Sequence, residues 1–153
     1  MKALGIVGFE QTTILGMLTR AMQKFAGCDN YKITHIGVLM QIDKHHYVFE
    51  MDGRHAVFRR METYKSKSEF IGLDFKEGVV EKFMSDDIDY SETSLIKIGF
   101  RLLTKFKRQG QEDYESQTCS GLVNRILKEN EMPLGLPNMP APAEIFDALK
   151  RGK

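Results

Sequence analysis

The sequence predicts an α+β fold, a small antiparallel sheet with helices packed on it, from three observations. Strand-like stretches are grouped together up to about residue 62, helix-like stretches are grouped at the two ends, and polar turn signals join neighbouring strands. The turn signals are Asp43-Lys44 and Asp52-Gly53-Arg54. At 153 residues, 42% hydrophobic and 28% charged, the chain reads as a single domain over 1–153, large enough to bury its own core.

Each element follows from its local pattern. Leu4-Gly5-Ile6-Val7-Gly8-Phe9 gives a strand over 3–9, and the apolar spacing that follows gives a helix over 13–25. A meander of strands is expected over 32–42, 46–51 and 55–62. The first of these, Ile33-Thr34-His35-Ile36-Gly37-Val38-Leu39-Met40-Gln41-Ile42, is apolar on both sides of its alternation and is therefore expected to be largely buried. Signals are mixed over 66–88. A helix is then expected over 91–108, with Leu95, Ile98, Leu102 and Phe106 at helical spacing and a basic end at Lys105-Phe106-Lys107-Arg108. Further helices are expected over 118–129 and 142–150. All four prolines fall between Glu131 and Pro142, marking an ordered surface loop or a lid.

Cys119 opens the helix over 118–129, with Leu122, Val123, Ile126 and Leu127 recurring on one face behind it. In a first turn, unpaired backbone N–H groups and the helix dipole lower a thiol pKa and populate the nucleophilic thiolate. A buried cysteine that only packs is the alternative. A catalytic cysteine needs a base and a group to orient that base. Of the four histidines, His45, His46 and His55 lie beside turns, whereas His35 lies within the apolar strand. A histidine there is either a satisfied core residue or the base.

The strand His46-Tyr47-Val48-Phe49-Glu50-Met51 carries Glu50 as its odd charge. If Asp43 and Lys44 form a two-residue loop, Ile42 pairs with His45, Gly37 with Glu50 and His35 with Asp52. Glu50 and His35 then share a face on the diagonal, roughly 7 Å apart at Cβ, and Gly37 leaves the gap between them open. A three-residue loop would reverse the side chains and remove Glu50 from His35. Asp52 is the other acid in reach, with a plain turn aspartate as its simpler reading.

The order of histidine strand, acid strand and cysteine on a late helix resembles the circularly permuted branch of the NlpC-type papain-like superfamily, in particular the YiiX and LRAT-like proteins. Thr34-His35-Ile36-Gly37-Val38 resembles its S/T-H-V/I-G-I/V strand, Val48-Phe49-Glu50 its strand ending in glutamate, and Cys119-Ser120-Gly121-Leu122-Val123 its C-S-E-L-V helix start. Pro140-Ala141-Pro142-Ala143-Glu144-Ile145-Phe146 resembles its closing T-P-x-D-L segment. Gly121 stands where a glutamate is usual and Thr118 where an aromatic is common, which bears on substrate contact rather than on bond breaking.

The resemblance implies a permuted papain-like cysteine hydrolase with Cys119 as nucleophile, His35 as base and Glu50 as orienting acid. It implies a peptide, isopeptide or cell-wall amide as substrate, or lipid acyl transfer or thioester cleavage as in the LRAT-like members. A non-catalytic binding module on the same fold is a third reading. One oxyanion donor is implied at the Cys119 backbone N–H and a second in the loop after the first strand. Gln11 is the candidate there, with helix entry beside Thr12 as its other reading.

Composition narrows the partners. A net charge of +1 lacks the concentrated basic face of a nucleic-acid binder. The run from Lys2 to Phe9 is interrupted by Glu10 and Gln11 before a signal peptide could form, and no stretch approaches the roughly 20 apolar residues of a membrane span. A cytoplasmic protein without stable membrane insertion is expected. Cys28 and Cys119 are too few for a disulfide framework, so both are expected as thiols, with Cys28 incidental in its loop. No spacing suggests zinc or another metal site, no glycine-rich phosphate loop is present, and no cofactor is expected.

Overall fold

Strand β1 (Lys2–Phe9) leads into helix α1 (Ile14–Phe25), and β2 (His35–Ile42), β3 (His45–Met51), β4 (Ala56–Arg60) and β5 (Ser68–Gly72) follow in turn. Two short strands, β6 (Asp89–Tyr90) and β7 (Ser116–Gln117), pair in parallel, and helices α2 (Cys119–Glu129) and α3 (Pro142–Arg151) complete the fold. The computed structural model describes residues 1–52, 55–84, 89–90 and 116–152. The helix expected over 91–108, with its basic end at Lys105 to Arg108, lies outside the described residues.

The architecture is α+β. Five strands form an antiparallel sheet in the order β4-β3-β2-β1-β5, so the two strands with the most apolar sequences, β1 and β2, lie inside it. Asp43 takes a left-handed φ of 54°, which a short polar side chain tolerates, and Asp43-Lys44 closes the β2–β3 hairpin with Ile42 opposite His45 and Val38 opposite Phe49. Ile6, Ile36, Val38, Met40, Phe49 and Met51 pack on one face against Leu122, Val123, Ile126, Leu127, Ile145 and Phe146 of α2 and α3. The opposite face holds Val7, Phe9 and Val48, covered by Met61 and Tyr64.

Two boundaries differ from the expected ones by more than one residue, for local reasons. The strand expected from 32 begins at His35, because the Ile33 N–H turns back to the Asn30 carbonyl. The strand expected to 62 ends at Arg60, where Met61–Thr63 coils into a single 3₁₀ turn. The mixed region yields β5 and a second 3₁₀ turn, Glu81–Met84.

Polar side chains fasten the connections. Asp147 on α3 accepts the N–H groups of Asp29 and Asn30 at 3.0 and 2.9 Å, which fixes the approach to β2. The proline-rich loop is tied to α2 by Asn124 donating to the Pro137 carbonyl at 3.2 Å and by Lys128 donating to Asn138 at 3.0 Å. That fastening fits the ordered surface loop. Among the described residues no helix is long and apolar enough to cross a membrane.

Candidate active site

Cys119 is the first residue of α2, and Thr118 is its N-cap. The Thr118 hydroxyl accepts the Gly121 N–H at 3.0 Å and its carbonyl accepts the Leu122 N–H at 2.9 Å. Those bonds leave the Cys119 and Ser120 N–H groups as the donors available at the helix start. The residue at 118, where the resembled family often has an aromatic, thus works here as a cap, and Gly121 supplies the N–H it binds. Behind the cysteine, Leu122, Val123, Ile126 and Leu127 are fully buried, which anchors the thiol to the sheet.

His35 is the first residue of β2, at the end of the sheet. The β2–β3 pairing puts Glu50 on its face, and the imidazole Nε2 and Glu50 Oε2 are 2.5 Å apart. A charge-assisted bond of that length is strong. With Nε2 taken, Nδ1 is the ring nitrogen left to face Cys119, which lies close enough for its charge to shift the titration of His35. The structure therefore brings Cys119, His35 and Glu50 together. All three lie largely inside, with the side chain of His35 12% exposed, Cys119 8% and Glu50 2%.

The electrostatics couple the three groups. Burial alone would depress the His35 pKa, but the charge of Cys119 and hydrogen bonds to Cys119 and Glu50 outweigh it and raise the value from 6.5 to about 10. Burial likewise pushes the Cys119 thiol up, yet His35, by charge and hydrogen bond, and the Ile36 N–H bring it below its ordinary value. A thiolate–imidazolium pair is the state this favours.

Two residues around Glu50 escaped the sequence reading. Arg59 on β4 places Nε 3.5 Å from Glu50 Oε1, so the buried carboxylate has a cation on each side. Tyr64 stacks on Phe9 with ring centroids 4.1 Å apart. Its buried hydroxyl has no partner at hydrogen-bond distance, but it lies close enough to Glu50 that burial first, and the carboxylate second, hold the phenol protonated well above its usual range. The alternation of β4 was a usable signal for Arg59, because Arg59 lies opposite Val48, two residues from Glu50 on the same face.

The other sequence candidates are placed elsewhere. Asp52 is exposed, accepts the His55 N–H at 3.4 Å and lies 3.8 Å from Arg59 Nη2, as a turn aspartate would. Gln11 uses its backbone N–H on the Thr34 hydroxyl at 3.0 Å, which leaves only its side-chain amide for an oxyanion. Cys28 is half-buried between α1 and β2. Among the described residues, no three His, Cys, Asp or Glu side chains converge as a metal-binding group.

Gly37 controls the spacing of the site. A Cβ there would meet Val48 Cγ1 at 2.5 Å, the Phe49 carbonyl oxygen at 2.9 Å and Glu50 Cβ at 3.2 Å. Two of these belong to backbone or to a side chain in the core, which cannot swing away. Gly37→Ala is expected to part β2 from β3, costing about 1–3 kcal/mol and several degrees of Tm. It should weaken the His35–Glu50 bond at the same time. Calorimetry together with the His35 chemical shifts checks both, and an unchanged spectrum would show that the hairpin absorbs a methyl group there.

Compared with known proteins, the chain matches no protein-family model, and no curated protein matches it.

Proposed function

We propose that this protein is a cysteine hydrolase of permuted papain-like type that cleaves an amide bond, in a peptide, isopeptide or cell-wall peptide, through an acyl-thioester. The observation that carries the reading is one imidazole bonded to a buried carboxylate through Nε2 and electrostatically coupled to the thiol at a helix start. A non-catalytic module has no need to keep that relay together.

In the proposed mechanism the Cys119 thiolate adds to the carbonyl carbon, and the C–S bond forms as the carbonyl electrons move onto oxygen. The Cys119 backbone N–H donates to that oxygen, and the Gln11 side-chain amide is the proposed second donor. The His35 imidazolium then gives its proton to the leaving nitrogen as the C–N bond breaks. Water attacks the thioester with neutral His35 taking its proton, and release of the acid restores the ion pair. Glu50 holds the ring and stabilises its charge throughout. Lipid acyl transfer or thioester cleavage would use the same three residues, and the exposed apolar side chains of α1 favour keeping that second reading.

Thiol reactivity tests the reading without a known substrate. Limiting iodoacetamide at about pH 6 is expected to modify Cys119 before Cys28, because an ordinary thiol with a pKa of about 8.5 is almost fully protonated there. The sign follows from the two shifts. A lowered Cys119 pKa extends the thiolate to acid, and a raised His35 pKa keeps the imidazolium until about pH 10. Peptide mass mapping reads the outcome, and preferential modification of Cys28 would count against a dyad. A screen of Cys119-dependent turnover on wall peptides, isopeptides and acyl thioesters then separates the substrate classes.

A further inference from the structure

Helix α1 is built inside out. Its buried residues are Gly16 and Gln23, whereas Ile14, Leu15, Met17, Leu18 and Phe25 are 81%, 52%, 61%, 56% and 67% exposed. At about 100° per residue these five side chains and Ala21 fall within one arc of the helix, facing away from the sheet.

The orientation is specified by bonds. Gln23 Nε2 donates to the Tyr31 and Ile33 carbonyls at 2.9 and 2.8 Å, and its Oε1 accepts the Ala143 N–H at 3.0 Å. A buried amide satisfied three times over cannot be rotated outward without stranding those groups, so the apolar arc must face outward.

Charge decides among the surfaces that could cover such an arc. The helix carries no carboxylate, and on one border of the apolar arc Lys24 is exposed while Arg20, one turn earlier, is half-buried with its Nε shielded from solvent. The loop bonded to the helix entrance, where the Glu10 N–H meets the Lys67 carbonyl at 2.9 Å, adds exposed Lys65 and Lys67. A second copy packed antiparallel on this face would set one cationic border against the other. An apolar layer edged with negative charge complements both features.

We infer that α1 is an interfacial helix that docks the protein on an anionic lipid surface, with Leu18 and Phe25 entering the acyl boundary and Lys24 at the headgroups. Through the bond of Gln11 to Thr34, the segment leading into this helix is tied to the residue beside His35. The docking itself uses none of Cys119, His35 or Glu50.

Sedimentation with vesicles of 30% phosphatidylglycerol in phosphatidylcholine, against pure phosphatidylcholine, tests the inference. Binding to the anionic vesicles alone, weakening as salt rises, is expected. Leu18→Ser and Ile14→Ser should each lower partitioning by about tenfold at unchanged Tm, since each removes one side chain from the apolar layer. Cys119→Ala should bind like the wild type, so a failed catalytic reading leaves this result standing. Three results would overturn the inference: no binding to either vesicle, variants that bind normally, or a wild-type dimer that Leu18→Ser converts to monomer. A fall of many degrees in the Tm of both serine variants would also overturn it, by showing that residues of this same chain cover the face.

Discussion

His35→Ala is expected to lower turnover on a Cys119-dependent substrate by about 10³- to 10⁴-fold, roughly 4 to 5.5 kcal/mol, and to end the labelling of Cys119 in mild acid. Two functions leave with the ring. The thiol loses the charge and hydrogen bond that lower its pKa, while burial, the opposing influence, stays, so Cys119 should label only as an ordinary or raised thiol does. The leaving group also loses its proton donor. Folding should survive, because His35 lies at the end of β2 and the apolar residues that seat α2 are untouched. Rates of iodoacetamide modification between about pH 5 and 9, alongside thermal unfolding, separate the effects. A folded variant with wild-type turnover would remove His35 from the chemistry.

The wild-type pH profile should reflect the pair rather than either residue, because two groups this strongly coupled titrate together. The acid limb of kcat/KM then follows formation of the ion pair below neutrality, and the alkaline limb follows loss of the imidazolium near pH 10.

How much of this was legible in the sequence depended on how local the cause was. The β2–β3 register follows from two turn residues and strict alternation, so the His35–Glu50 approach can be read from the order of residues alone. The start of α2 was legible for the same reason, since Thr118 is a capping residue directly ahead of an apolar face. Strand β5 was not, because only Ile71 of its five residues is buried and an edge strand so exposed has no alternation to show. The partners of Glu50 were hidden for a different reason. Arg59 comes from the next hairpin and Tyr64 from the turn after it, and only the closed sheet brings them to one carboxylate. In α1 the sequence predicted the helix, but not that it turns its polar side inward. That orientation depends on Gln23 meeting carbonyls of the β2 approach and an N–H of α3.

Glu50→Gln is expected to lower kcat by about 10- to 1000-fold, or roughly 1.4 to 4 kcal/mol, with a much smaller effect on stability. The substitution keeps size and leaves an oxygen able to accept from Nε2, so the imidazole can still be held in place. What it removes is the negative charge 2.5 Å from the ring, and with it the support for the imidazolium on which the thiolate depends. The pH at which Cys119 begins to label should therefore rise in the same variant, a shift that a purely structural role for Glu50 would not produce. Arg59 sharpens the test. Next to a neutral amide its guanidinium, 3.5 Å from Oε1 in the wild type, keeps only the exposed Asp52 as counter-charge and opposes protonation of His35 further. Asp52→Asn is the control, because Asp52 would face His35 if the β2–β3 register were continued but spends its carboxylate on the His55 N–H and Arg59. That variant should keep nearly full turnover and the wild-type labelling profile. Should the asparagine enzyme be the inactive one while Glu50→Gln works normally, the orienting role belongs to Asp52, and the Cys119–His35 pair stands without Glu50.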